Sequence, residues 1–130
     1  MTNDGKYVIL LVDDDADFRD ILKAKLESGG FVIFEAVDGE DGLKKIRSSK
    51  PDLVVMDVQM PKMNGVEALS KIKVDPDILG TKVIFVTNYG ENDPNDNIDD
   101  KFAMEAGALG HIRKTEDLGV IVERIKRELS

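Results

Sequence analysis

Pro51-Asp-Leu-Val-Val-Met-Asp-Val-Gln-Met-Pro-Lys-Met-Asn-Gly65 is the stretch from which the fold of this chain can be read. Four apolar residues, Leu53 to Met56, deliver the carboxylate of Asp57 into a turn that contains Pro61 and Gly65. A continuous rather than alternating apolar run is the pattern of a strand buried on both faces of a parallel sheet. Similar runs stand on either side of it, Tyr7 to Val12, Phe31 to Ala36, Val83 to Val86 and Leu109 to Ile112. Segments with a helical period separate and follow the runs. Phe18, Ile21, Leu22 and Leu26 mark one, and Val66, Leu69 and Ile72 another. Leu118, Ile121, Val122, Ile125 and Leu129 mark the last, with Glu123, Arg124, Lys126 and Arg127 on its opposite side. Asp38, Asn64 and Thr115 each stand where an N-cap belongs, and Asn64 has Glu67 three residues on. Asp15 and Asp17 read as capping acids of the first helix.

Strict alternation of strand and helix predicts an α/β fold: a doubly wound, five-stranded parallel sheet with helices on both faces, in three layers. Function in such a sheet lies beyond the carboxyl ends of the strands. Asp13, Asp14, Asp57, Thr87 and Lys114 all stand where a strand gives way to a loop, so the fold brings them to one edge. If the strands before Asp13 and Asp57 lie side by side, three carboxylates meet there, and such a cluster asks for a metal ion.

At 130 residues the chain is expected to be one domain, residues 1–130, with no output domain. A net charge of −8 and a pI near 4.6 argue against a direct nucleic-acid partner, because that affinity comes largely from cations on phosphates. There is no cysteine, hence no disulfide and no thiolate metal site. Residues 1–6 are too polar to begin a signal peptide, and every apolar run falls short of the ~20 residues that span a bilayer. The expectation is a soluble, cytoplasmic protein with no membrane insertion. Asn88 to Asp100, rich in Asn, Asp, Gly and Pro, reads as a long, acidic, mobile loop that leaves the start of the fourth helix open.

With these residues in place, the sequence closely resembles the receiver domain of two-component response regulators, of the chemotaxis-type single-domain kind, over nearly its whole length. Val12-Asp-Asp14 is similar to the family's acidic pair. Asp57 ahead of Met60-Pro61 and Gly65 is similar to its phospho-accepting aspartate, Thr87 to its switch hydroxyl and Lys114 to its lysine. The resemblance implies a flavodoxin-like strand order 2-1-3-4-5, and Mg²⁺ held by Asp13, Asp14, Asp57 and the backbone carbonyl of Gln59. It implies a phosphoprotein that takes its phosphoryl group from a sensor histidine kinase or histidine phosphotransfer protein and acts on a downstream protein. Its output would be binding and not catalysis on a foreign substrate. Gln59, Asn88 and Tyr89 flank the site at positions where the family tunes phosphoryl access and lifetime. His111 stands where the family has Tyr or Phe and would repack with Thr87 as a switch. Thr115 follows Lys114 where the family has proline, so the cis peptide that often accompanies this lysine is not expected.

Elementary chemistry supports the same roles. A carboxylate is a poor nucleophile toward an anionic phosphoryl group, so positive charge must lie between them. Mg²⁺ takes one or two carboxylates and phosphate oxygens, Lys114 adds a compact cation, and Thr87 can donate a hydrogen bond.

Other readings stand beside this one. A degenerate receiver would act as an interaction domain independent of phosphorylation. A haloacid-dehalogenase-type phosphatase would use Asp13-x-Asp15, but Asp17 occupies the place of its Thr and Asp57 is left without a role. Asp13 to Asp17 opens like a calcium loop and then fails, with Phe18 at the sixth position and Ala24 at the twelfth. Met60, Met63 and Met104 read as packing or loop residues, and Gly39, Gly42 and Gly65 as loop or helix-start residues.

Overall fold

The computed structural model describes residues 1–87 and 100–129, with only the backbone of residue 100. Five strands, β1 (Val8–Val12), β2 (Val32–Ala36), β3 (Leu53–Asp57), β4 (Val83–Thr87) and β5 (His111–Arg113), alternate with five helices. These are α1 (Ala16–Ser28), α2 (Gly39–Ser49), α3 (Gly65–Val74), α4 (Asp100–Glu105) and α5 (Leu118–Leu129). The strands form one parallel sheet in the order β2-β1-β3-β4-β5, as expected.

Each face of the sheet carries its own core. Leu10, Val12, Val54, Met56, Val83 and Phe85 pack with Leu43, Ile46, Leu69 and Ile72, residues of α2 and α3. Ile9, Leu11, Leu53, Val55, Ile84 and Val86 pack on the other face with Leu22 and Leu26 of α1 and Ile121, Val122 and Ile125 of α5. Odd and even positions of one strand therefore serve opposite layers, which is why β1 and the first four residues of β3 and of β4 form unbroken apolar runs, and all three strands are buried throughout.

The edge strands depart from that pattern. In β2 only Ala36 is buried and Phe34 is exposed, and in β5 only Ile112 is buried. A parallel edge strand has one neighbour, so an apolar run there does not guarantee burial. Leu109, read as the start of the last strand, precedes β5, although its N–H reaches the Val83 carbonyl at 2.8 Å.

Helix starts follow their caps with one exception. Asp15, Asp38 and Asn64 accept from the N–H groups of Phe18, Asp41 and Glu67 at 3.2, 2.8 and 2.8 Å, while Asp17 lies in the first turn of α1. Thr115 is no cap: it lies in a turn, and α5 begins at Leu118, where the Asp117 carbonyl accepts from Val120 and Ile121. In α1 the buried stripe follows the spacing of four through Phe18, Leu22 and Leu26, which leaves Ile21 58% exposed at its border. Residues 88–99 of the Asn88 to Asp100 loop lie outside the described residues. No described helix is long and apolar enough to cross a membrane.

Candidate functional site

The order of the strands builds the site. The chain leaves β1 toward one edge of the sheet and returns to β3 on the other side of β1, so their carboxyl ends adjoin. Val12 pairs with Met56, and the next residues, Asp13 and Asp57, face one another just beyond that pair. Ligand oxygens of Asp13, Asp14 and Asp57 all lie within 4.8 Å of one another, Asp13 and Asp57 buried and Asp14 exposed.

Lys114 supplies the counter-charge. It leaves β5 on a backbone tie from its own N–H to the Thr87 carbonyl at 2.9 Å, and its ammonium lies 2.7 Å from Asp13 Oδ2 and 3.4 Å from Asp57 Oδ2. Among the described residues no donor is aligned for a hydrogen bond on Asp13 Oδ2, so the contact with Lys114 is an ion pair. The remaining oxygens meet backbone: Asp13 Oδ1 accepts from Asp15 N–H at 2.9 Å, and Asp57 Oδ1 from Gln59 N–H at 3.3 Å.

One lysine cannot balance two buried carboxylates. Burial first, and then the Asp13 charge, push the Asp57 carboxyl up to about 7, against the opposing pull of Lys114 and the Gln59 N–H. For Lys114 burial acts to lower the pKa, but the close contact with Asp13 and the charges of Asp57 and Asp13 prevail and raise it. Lys114 is therefore cationic at neutral pH, while the acid pair still lacks positive charge. A divalent cation fits this set. All donors are hard oxygens, one buried oxygen has no aligned donor, and exposed Asp14 opens the cluster to water-borne ions.

Thr87 ends β4 with its side chain buried, and its Oγ1 has no hydrogen-bond partner among the described residues. Unpaired buried hydroxyls are uncommon, and this one belongs to the residue after Val86, the register partner of Asp57, at the same end of the sheet. His111 is half-buried on β5, in register with Phe85 as Arg113 is with Thr87, so His111 and Thr87 share a sheet face. An open groove of about 970 Å³ lies along β5 and α5, lined by His111, Arg113, Glu116, Val120 and Arg127, beside the acid cluster rather than at it. Asn88 and Tyr89 lie outside the described residues, and every described peptide bond is trans, including the one after Lys114.

Asp15 is the N-cap of α1, its carboxylate accepting from the Phe18 N–H, and the acids that cluster with Asp13 are Asp14 and Asp57. Met60 and Met63 pack against the core and Met104 is exposed. Gly42 lies within α2, where a Cβ would come within 3.0 Å of Val12.

Two residues of α1 were not singled out from sequence. Arg19 donates one guanidinium N–H to the Asp13 carbonyl and another, 3.3 Å long, to Glu35 on β2, a carboxylate that Lys23 also meets at 3.2 Å. Phe18 places its ring 4.8 Å from the Lys114 ammonium. Phe18 entered the sequence reading as an apolar position of the helical period and as the residue at which the calcium-loop pattern fails, not as a site residue. A side chain on the site-facing turn of α1 was the only available signal.

Comparison with known proteins agrees with this geometry. The family model described as the response regulator receiver domain matches residues 9–126. Sporulation initiation phosphotransferase F of Bacillus subtilis is 34% identical over 121 residues, 93% of this chain and 92% of that protein. The transcriptional regulatory protein CrdR of Helicobacter pylori is 34% identical over 119 residues, 92% of this chain but 53% of that protein, so the chain spans about half its length. Among solved structures, a CheY-like receiver domain protein from Methanospirillum hungatei superposes with a TM-score of 0.79 at 33% identity, covering 96% of this chain and 94% of that one. Chemotaxis protein CheY4 of Vibrio cholerae gives a TM-score of 0.82 over 96% of this chain and 100% of that one, and at 23% identity it speaks for the fold alone.

Proposed function

The chain belongs to the response regulator receiver family, and from that membership we propose that it accepts a phosphoryl group on Asp57 from the phosphohistidine of a sensor histidine kinase or histidine phosphotransfer protein. The observation that carries this reading is the placement of Asp57, buried at the end of β3 with its Oδ2 3.4 Å from the Lys114 ammonium and an acidic pair beside it. The phosphotransferase name of the Bacillus relative is in keeping with it.

In the transfer, one Asp57 oxygen forms a bond to phosphorus while the N–P bond of the donor breaks, its electron pair remaining with the imidazole. Asp13, Asp14, Asp57 and the Gln59 carbonyl would hold Mg²⁺, which when bound supplies positive charge between carboxylate and phosphoryl oxygens. Lys114 keeps a cation on another phosphoryl oxygen, and the Thr87 hydroxyl, unpaired beforehand, donates to a third. Two charge-assisted hydrogen bonds at roughly 1.5–3 kcal/mol each total about 3–6 kcal/mol, near the ~5.5 kcal/mol that carries a population from 1:99 to 99:1.

Movement of Thr87 toward the phosphoryl group lets His111, on the same sheet face, repack. The surface of β5, α4 and α5 then changes for a downstream protein. The output is binding rather than turnover of a foreign substrate, and the setting is the cytoplasm. The test is transfer from a phosphorylated histidine phosphotransfer protein, followed by amide NMR. The expected result is acid-labile phosphorylation with shifts that reach His111 and α5. Shifts confined to the acid pocket would overturn the switch.

A further inference from the structure

The backbone tie from Lys114 to Thr87 fixes where the lysine begins, but not where its charge ends, four rotatable bonds away. The lysine follows an edge strand of three residues, sits in a turn, and precedes Thr115, which restricts the backbone less than proline would. Its partners at the far end are Asp13 and Asp57. Asp57 is the group the reaction consumes: once its oxygen carries phosphorus, the ion pair that held the ammonium has changed.

The Phe18 ring is a partner that the reaction leaves untouched. It lies 4.8 Å from Nζ, inside the range of a cation–π contact, and the Lys114 side chain is 7% exposed, so water competes little for the charge. The ring is itself held. Its backbone N–H is bound by the capping carboxylate of Asp15 at 3.2 Å, and its side chain packs against the core between the sheet, α1 and α5.

We propose that Phe18 is a positioning residue for Lys114, holding the ammonium over the site before and after transfer and so setting the rate at which Asp57 accepts a phosphoryl group. This rests on the function proposed above. Asp15, Phe18 and Lys114 then form a relay in which the α1 cap fixes the ring and the ring fixes the cation.

Phe18→Leu keeps apolar bulk and removes the ring face, whereas Phe18→Tyr keeps both. With Mg²⁺ and acetyl phosphate, Phe18→Leu is expected to slow phosphorylation roughly 5- to 10-fold, while Phe18→Tyr restores it and both variants stay fully folded at the assay temperature. The second readout needs no phosphodonor. The Hε protons of Lys114, identified by their loss in Lys114→Met, should resonate upfield of the other lysines because they lie over the ring. That displacement should vanish in Phe18→Leu and persist in Phe18→Tyr. An unshifted Lys114 in the native protein, or native phosphorylation rates in Phe18→Leu, overturns the proposal. A native protein with the shifted lysine that takes no phosphoryl group overturns the phospho-acceptor reading and leaves the ring contact standing.

Discussion

At Asp57 the folded carboxyl binds its proton more tightly than an exposed aspartate does, because burial and the Asp13 carboxylate both penalise its charge, and this gives the metal-free protein a pH dependence of definite sign. The native state holds a proton that the unfolded chain has released once pH exceeds 3.8, the ordinary value, so stability from this group is full below that point and is lost as pH rises through about 7. Asp57→Asn removes the penalty. It should raise stability at pH 8 by on the order of 2–4 kcal/mol more than at pH 4, as read by urea unfolding in EDTA. Equal effects at both pH values would show that the carboxyl is not strained. Arg19 gives a second prediction, since it binds the carbonyl of Asp13 and is braced by Glu35. Groups that orient a metal ligand typically affect affinity 10- to 100-fold, so Arg19→Met should weaken Mg²⁺ binding about tenfold. Calorimetry that finds native affinity in a folded variant would remove Arg19 from the site.

Gly65 shows at the scale of elements why the β3–α3 connection has the sequence it has. A Cβ there would collide with the Asp57 carbonyl oxygen and reach within 3.0 Å of the Val58 Cα, while the Gly65 N–H bonds the Val58 carbonyl at 2.8 Å. The helix thus starts against the backbone of the strand that carries Asp57. Gly65→Ala should cost about 1–3 kcal/mol of stability by overpacking, and an unchanged denaturation midpoint would contradict that close approach. The interior strands were legible because burial on both faces leaves an unbroken apolar run, and the capped starts of α2 and α3 because Asp38 and Asn64 satisfy N–H groups locally. The edge strands and the start of α5 were less so. Phe34 is as apolar as its interior counterparts but has sheet on one side only, and Thr115 offers a capping hydroxyl where the chain first makes a turn. Ile21 fits a helical period and still faces out, since period alone does not give the width of the stripe that the neighbours cover.

For the whole molecule, the convergence of Asp13, Asp14, Asp57, Thr87 and Lys114 was readable because each ends a strand and a parallel sheet puts all those ends on one side. Phe18 and Arg19 were not, because their roles arise across space: one reaches from α1 to the turn after β5, the other from α1 to β2 and the end of β1. Nor does sequence supply the balance of charge, in which one lysine faces two buried acids and Asp57 is left near neutrality in pKa. The central claim is that Asp57 accepts phosphate in a site completed by a divalent cation. Intact mass after incubation with acetyl phosphate tests it most directly, comparing the native protein with Mg²⁺, the native protein in EDTA and Asp57→Asn with Mg²⁺. The account predicts one phosphoryl adduct in the first sample and none in the other two. An adduct on Asp57→Asn, or no adduct on a native protein shown separately to bind Mg²⁺, would contradict it, and the second result would favour an interaction module that works without phosphorylation.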